Sequence, residues 1–207
     1  MDYQYWNNYY DKDEAPKEPS QFSKDVLSYL EKDKKLIELG CGNGRDAVYF
    51  SQNGLNVMAI DQSELSIYNL EKNNHNNKKV KFIADDFIRS NMLKELEYDY
   101  VYSRFTMHSI TEEEESILLN RVYTTLKKDG LLLIEVRSIK DDIYGLGRKI
   151  ARNTYVYNDH CRRFVVIDEL IEKIKLIGFK IILANQDRGY AVYKDQNPIV
   201  IRIIAKK

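Results

Sequence analysis

The chain is poor in the residues that cross-link proteins, ligate metals or break helices. It holds two cysteines, three histidines, three prolines and one tryptophan in 207 residues. Cys41 and Cys161 provide neither a disulfide framework nor the spacing of a metal site, so no metal is expected. No apolar run reaches the length of a membrane span and no signal peptide is apparent, which reads as a cytoplasmic, soluble protein with no membrane partner. Net charge is missing as well, since 32 Lys and Arg balance 32 Asp and Glu. A general nucleic-acid binder would be basic, so that partner class is set aside, although a local basic pocket is not. No segment repeats. The length suits a single domain, residues 1–207, with a substantial core. Nothing in the sequence fixes an oligomeric state.

What the chain does contain is a dense signal at residues 35–50. Leu36, Ile37 and Leu39 read as a short buried strand; Gly40, Gly42 and Gly44 alternate through a tight turn; Ala47, Val48 and Phe50 open a helix. Alternating glycines between strand and helix let a ligand approach bare backbone, where a Cβ would block it. A dinucleotide fingerprint has a different spacing and must accept a pyrophosphate. Here Glu38 precedes the first glycine, and its carboxylate suits a ligand with a cationic group. Asp61 stands about twenty residues on, at the end of the next apolar run, where one carboxylate can accept from both hydroxyls of a ribose. The alternative for Asp61 is a plain helix cap.

The rest of the chain reads as alternating strands and helices. Residues 1–20 are irregular and aromatic, with Tyr3, Tyr5, Trp6, Tyr9 and Tyr10 crowded together and Pro16 and Pro19 barring a helix before Ser20. They pack on the domain surface or form a lid over the ligand pocket. Residues 21–31 predict a helix capped by Ser20. Strands follow at 55–60, 80–84, 98–103 and 130–136, with helices at 66–73 and 112–126, the latter opened by a capping box at Thr111 and Glu114. Glu112 to Glu115 are therefore taken as a solvated helix start without a chemical role. Residues 137–166 form a long loop inserted before the helix 168–177, and a loop of that length is usually functional. Two closing strands, 179–183 and 198–205, complete the expected architecture. It is an α/β fold with a doubly wound, mostly parallel, seven-stranded Rossmann-like sheet and an antiparallel edge hairpin at the carboxyl end.

The stretch Glu38-x-Gly40-x-Gly42-x-Gly44 resembles motif I of the class I S-adenosylmethionine-dependent methyltransferases, and its Cys-Gly-Asn-Gly-Arg-Asp form is similar to the small-molecule members. The resemblance covers roughly residues 21–207. It implies S-adenosyl-L-methionine as cofactor, with the glycine loop against its methionine part and Glu38 in its polar network. It also implies an acid facing the adenine amino group at the end of the third strand. Asp86 fits that place by distance from Val80, and Asp85 is the alternative. Gln62, Phe87 and Ser103 complete the candidate cofactor set. His108, at the sheet edge, is the candidate general base for a hydroxyl acceptor, with His160 as competitor. His75, in an Asn-Lys turn, is idle.

Arg104, His160, Arg162 and Arg163, with Arg137 and Arg148 as lesser members, suggest an anion-holding acceptor site, because arginine forks grip carboxylate and phosphate at two points. The alternative is a set of surface salt bridges. Arg104…His108-Ser109 with His160-x-Arg162-Arg163-Phe164 is similar to methyltransferases found among capsule and other surface-polysaccharide biosynthesis genes. That likeness implies a small phosphorylated, nucleotide-linked or sugar-type acceptor. The rivals are an oxidoreductase, a non-catalytic binding module, an N-methyltransferase and a nucleic-acid methyltransferase. The last would carry Asn/Asp-Pro-Pro-Tyr where Ser103-Arg104-Phe105-Thr106 stands.

Overall fold

The computed structural model describes residues 15–95 and 97–207. The aromatic half of the expected lid, residues 1–14, lies outside the described residues. The main sheet has seven strands in the order β3-β2-β1-β4-β5-β10-β9. They are β1 (Lys35–Leu39), β2 (Asn56–Asp61), β3 (Val80–Ala84), β4 (Tyr98–Arg104), β5 (Leu126–Arg137), β9 (Lys180–Asp187) and β10 (Val200–Lys206). The first five run parallel, while β10 lies antiparallel to β5 and to β9. The expected doubly wound sheet with an antiparallel closing pair is the fold observed.

Strand alternation sorts the core into two layers. Ile37, Leu39, Val101, Leu132 and Ile134 face α5 (Glu112–Thr125) and α6 (Ile167–Ile177), meeting Leu118, Val122, Leu170 and Ile174. Leu36, Tyr100, Tyr102, Leu131 and Leu133 face the other way, against α1 (Gln21–Val26), α2 (Arg45–Gln52) and α3 (Glu64–Asn73). Each buried side chain of this size stabilises the fold by about 1.5–3 kcal/mol, so the two layers carry most of the driving force. On the second face the Tyr102 ring stacks on Phe22 at 5.3 Å and meets Phe50 edge-on at 5.0 Å. The short α4 (Met92–Glu95) packs beside α5.

Three expectations are corrected. The first helix ends at Val26 and tightens into a 3-10 turn, Leu27–Tyr29, instead of continuing to residue 31. Residues 137–166 are not a loop: they hold an antiparallel three-stranded sheet, β6 (Arg148–Ala151), β7 (Thr154–Tyr157) and β8 (His160–Arg163). Its hairpins turn at Asn153 and at Asn158-Asp159, all with left-handed backbone, which is where short polar side chains serve as turn residues. Tyr144, Tyr155 and Phe164 give it a small ring cluster of its own, with centroids 5.3–6.3 Å apart. The glutamate run is only partly a solvated helix start. The capping box between Thr111 and Glu114 forms as expected, but Glu115 is buried.

Glu115 anchors the small sheet. Arg163 donates Nε to the Ile110 carbonyl at 2.9 Å and Nη2 to the Met107 carbonyl at 3.1 Å, and it pairs with the Glu115 carboxylate, which also takes Lys173 Nζ at 2.6 Å. Adjacent residues of a strand point to opposite faces, so Arg163 turns inward to this anchor while Arg162 turns the other way. Removing Arg163 leaves Glu115 with Lys173 alone and takes the donor from the Ile110 and Met107 carbonyls. Arg163→Met should therefore lower stability by about 1–3 kcal/mol, read as a fall in the urea midpoint, with cofactor affinity little changed. A midpoint within error of the wild type would show that the pair contributes nothing.

Candidate active site

The carboxyl end of β1 runs directly into the glycine turn. Gly40, Gly42 and Gly44 all have positive φ, and a Cβ on Gly40 would strike the Thr106 methyl group. Backbone bonds set the turn: the N–H groups of Gly40 and Cys41 both donate to the Ile60 carbonyl, at 2.8 and 2.9 Å. The Gly42 N–H donates to Asp61 Oδ2 at 2.8 Å, and Asp61 Oδ1 accepts from the Ser63 N–H at 2.9 Å. Burial raises the Asp61 pKa, and the N–H bonds from Ser63, Gly42 and Gln62 hold it down. A carboxylate oxygen can accept more than one hydrogen bond, so Asp61 keeps capacity for a diol.

Glu38 is the unusual member. It is 4% exposed, and its Oε2 has no hydrogen-bond partner among the described residues. Burial pushes its pKa well above the ordinary carboxylate value, with Asp46 and Asp61 adding repulsion and Arg45 and Arg104 opposing it. A buried, incompletely bonded carboxyl costs stability unless a donor or cation completes it. Glu38, Gly40, Gly42, Asp61, Gln62 and Phe87 line one half of a cavity of about 380 Å³. The residues fit a cofactor with an ammonium group and a ribose.

Arg104, Phe105, His108, Arg137, His160 and Arg162 line the other half. Arg104 Nε lies 2.8 Å from Glu135 Oε1, and this buried carboxylate also takes Arg202 Nε at 2.7 Å. Arg137 pairs with Asp141 at 2.8 Å. Both guanidiniums lie near the ring of Phe105, at 4.4 Å for Arg104 and 5.5 Å for Arg137, and Phe105 itself holds a left-handed φ of 54°. Arg162 donates Nη1 to the Tyr157 carbonyl at 3.2 Å. The rings of His108 and His160 meet edge-on at 5.7 Å. Burial drives the His108 pKa well below its ordinary value, helped by His160, Arg137 and Arg162; His160 is lowered to about 3 by burial and the same two arginines.

Six of the expected site residues, alternatives and lesser members included, stand apart from the cavity lining. Gly44 packs against Leu70 and Phe82. Ser103 is hydrogen-bonded to Thr106 beneath the surface. Asp85 Oδ1 accepts from the Asp86 N–H at 2.8 Å, and Asp86 Oδ1 from the Ile88 N–H at 2.9 Å, so both acids cap a turn while Phe87 supplies the wall. Arg163 sits in its anchor. Arg148, the lesser member, lies on the exposed edge strand β6. Conversely, the cavity takes in residues that sequence reasoning passed over: Asn43, Arg45 and Asp46 after the glycines, Phe105, and the segment 191–198 with Tyr193 and Lys194. Nothing local in the sequence marks that last segment; it joins the wall because it links the end of β9 to the start of β10, which lies opposite the end of β5.

The two neutral histidines make stability depend on pH. In the unfolded chain each binds a proton near pH 6.5; in the folded chain His160 does so only near pH 3. The unfolded state therefore holds more protons between these limits, and stability is lost as pH falls below about 6.5, at up to about 1.4 kcal/mol per pH unit for each group. His160→Gln should flatten the melting-temperature profile between pH 6.5 and 4.5. An equally steep profile in the variant would show that His160 is protonated in the fold.

Residues 10–184 match a family model described as a methyltransferase domain. An uncharacterized methyltransferase of Synechocystis sp. is 26% identical over 101 residues, which is 49% of this chain and 46% of the relative. The chain spans about half the length of the curated relatives it matches. A SAM-dependent methyltransferase of Methanosarcina mazei superposes with a TM-score of 0.76 at 16% identity, covering 88% of this chain and 96% of the other. The 1,6-didemethyltoxoflavin-N1-methyltransferase of Burkholderia thailandensis, solved with 1,6-didemethyltoxoflavin and S-adenosylhomocysteine, superposes with a TM-score of 0.73 at 20% identity, covering 100% and 84%. At such identities the structures speak for the fold, and no helix among the described residues is long and apolar enough to cross a membrane. With a family model matched over 10–184 and a cavity at the carboxyl edge of the sheet, the chain belongs to the methyltransferase-domain family.

Proposed function

We propose that the chain is an S-adenosylmethionine-dependent methyltransferase that acts on a small anionic metabolite, phosphorylated, nucleotide-linked or sugar-type, by O-methylation. The observation that carries the reading is Glu38, a buried carboxyl with one unpartnered oxygen beside a glycine turn that Asp61 holds open. When bound, the cofactor supplies a methyl group activated by its sulfonium, ready for in-line displacement. Glu38 would take the ammonium of its methionine part, Asp61 the ribose hydroxyls, and Phe87 the face of the adenine.

On the acceptor side the chain must orient a nucleophile and take its proton. His108 is neutral and can accept that proton, but Arg137 and Arg162 make the resulting imidazolium costly. An anionic group among these charges offsets the repulsion and raises the imidazole pKa, so the base strengthens once the acceptor is in place. This favours an anionic acceptor, such as the precursor of a capsule sugar, held by Arg137, Arg162 and Arg104 beside His160. A cytoplasmic location suits a chain whose two cysteines provide no disulfide framework. N-methylation is the second reading, favoured by the weak basicity of both histidines, because an amine needs less help from a base.

A screen of phosphorylated, nucleotide-linked and sugar metabolites for S-adenosylhomocysteine release tests the activity. Asp61→Ala should weaken S-adenosylhomocysteine binding by about 1–3 kcal/mol, the loss of a charged acceptor for two hydroxyls. Calorimetry showing unchanged affinity would remove Asp61 from the cofactor site. With an acceptor in hand, His108→Ala should cut turnover about 10²–10⁴-fold at constant cofactor affinity. Near-normal turnover would favour N-methylation or a base role for His160.

A further inference from the structure

Residues 15–20 reach the cavity from outside the sheet, and Ala15 and Pro16 line it. The segment is held at alternate residues by Asn43, Arg45 and Asp46. The Pro16 carbonyl accepts from Asn43 Nδ2 at 2.8 Å, and the Glu18 carbonyl accepts from Arg45 Nη1 at 2.9 Å. Ser20 donates its N–H and its hydroxyl to the two oxygens of Asp46, each at 2.7 Å. Asp46 is buried and also accepts from Ser23 Oγ and Tyr102 OH, both at 2.9 Å. The Ser20 end is thus fixed in the interior. The Asn43 and Arg45 bonds lie nearer solvent, where hydrogen bonds exchange readily with water. Pro16 and Pro19 restrict φ between the two ends, so the segment moves as a stiff piece.

We propose that residues 15–20 form a strap over the bound cofactor, pivoting at the Ser20–Asp46 knot and latched by Asn43 and Arg45, so that cofactor exchange proceeds through release of the latch. The proposal rests on the reading of the cavity as an S-adenosylmethionine site. Asn43, Arg45 and Asp46 are positioning residues in this scheme. They bind the strap to the same loop that meets the cofactor, so occupancy of the loop and closure of the strap reinforce each other.

The test uses the full chain and S-adenosylhomocysteine as probe. Asn43→Ala/Arg45→Ala removes the latch and leaves the buried Asp46 knot intact. It should speed S-adenosylhomocysteine dissociation about tenfold, two lost hydrogen bonds at the rim, without slowing association. Because Arg45 lines the cavity, a second measurement separates a direct contact from the strap: hydrogen exchange at the amides of Lys17 and Glu18. S-adenosylhomocysteine should slow that exchange in the wild type and far less in the double variant. Pro16→Gly/Pro19→Gly, which loosens the strap without touching its latch, should also speed dissociation. Wild-type dissociation in the double variant, or exchange at Lys17 and Glu18 indifferent to S-adenosylhomocysteine, would overturn the strap while leaving the cofactor site standing. A wild-type chain that binds no S-adenosylhomocysteine would overturn the cofactor reading and the strap together.

Discussion

The arrangement depends first on how the end of β2 grips the glycine turn. One carbonyl, that of Ile60, accepts two consecutive N–H groups, and the next residue, Asp61, accepts a third from Gly42. These bonds hold three left-handed residues in place without help from a ligand. Asp61 therefore has two tasks, shaping the turn and facing the cavity, and the first explains why its carboxylate is bonded on both oxygens. A turn built this way is preorganised, so little conformational entropy is left for a ligand to remove.

The cavity is lined by charges of both signs: Glu38, Asp46 and Asp61, with Arg45, Arg104, Arg137, Arg162 and Lys194. The arginines are not bare. Glu135 is shared between Arg104 and Arg202, and Arg202 reaches on to Asp25 at 2.6 Å and to the Tyr190 carbonyl at 2.9 Å. Buried charges persist only when paired, so this chain of ions explains how cationic groups are kept at the cavity of a chain with no net charge. It also ties α1 to the start of the segment that closes the acceptor side, across β10 and β5.

Much of this was legible in the sequence, and the rest was hidden for identifiable reasons. The strand, glycine turn and helix, the Thr111 capping box and the closing antiparallel pair are local patterns, and each formed as read. The alternation of β8 was not visible because its four residues are too few to show a period. Arg162 and Arg163 consequently looked like one cationic pair, and the structure sends them to opposite faces. Asp46 was passed over, because its partners Ser20, Ser23 and Tyr102 are brought to it only by the packing of α1 and β4 on α2. Phe105 carries no signal at all, since a left-handed aromatic residue contradicts local preference and is held by its surroundings.

The small sheet leaves and rejoins the main body at a narrow neck. The N–H of Ile139 donates to the Val165 carbonyl, and the N–H of Val165 to the Arg137 carbonyl, both at 3.0 Å, while Ser138 and Val165 bridge as neighbouring strands. The chain enters and exits at one point, with its own ring cluster inside, the Arg163 anchor beneath and Arg152 paired to Glu112 and Glu169 at the surface. Such a piece can be lengthened, shortened or exchanged over generations while β5 still leads into α6 and the glycine turn feels nothing. The residues that the small sheet brings to the cavity can therefore vary while the glycine turn keeps its form.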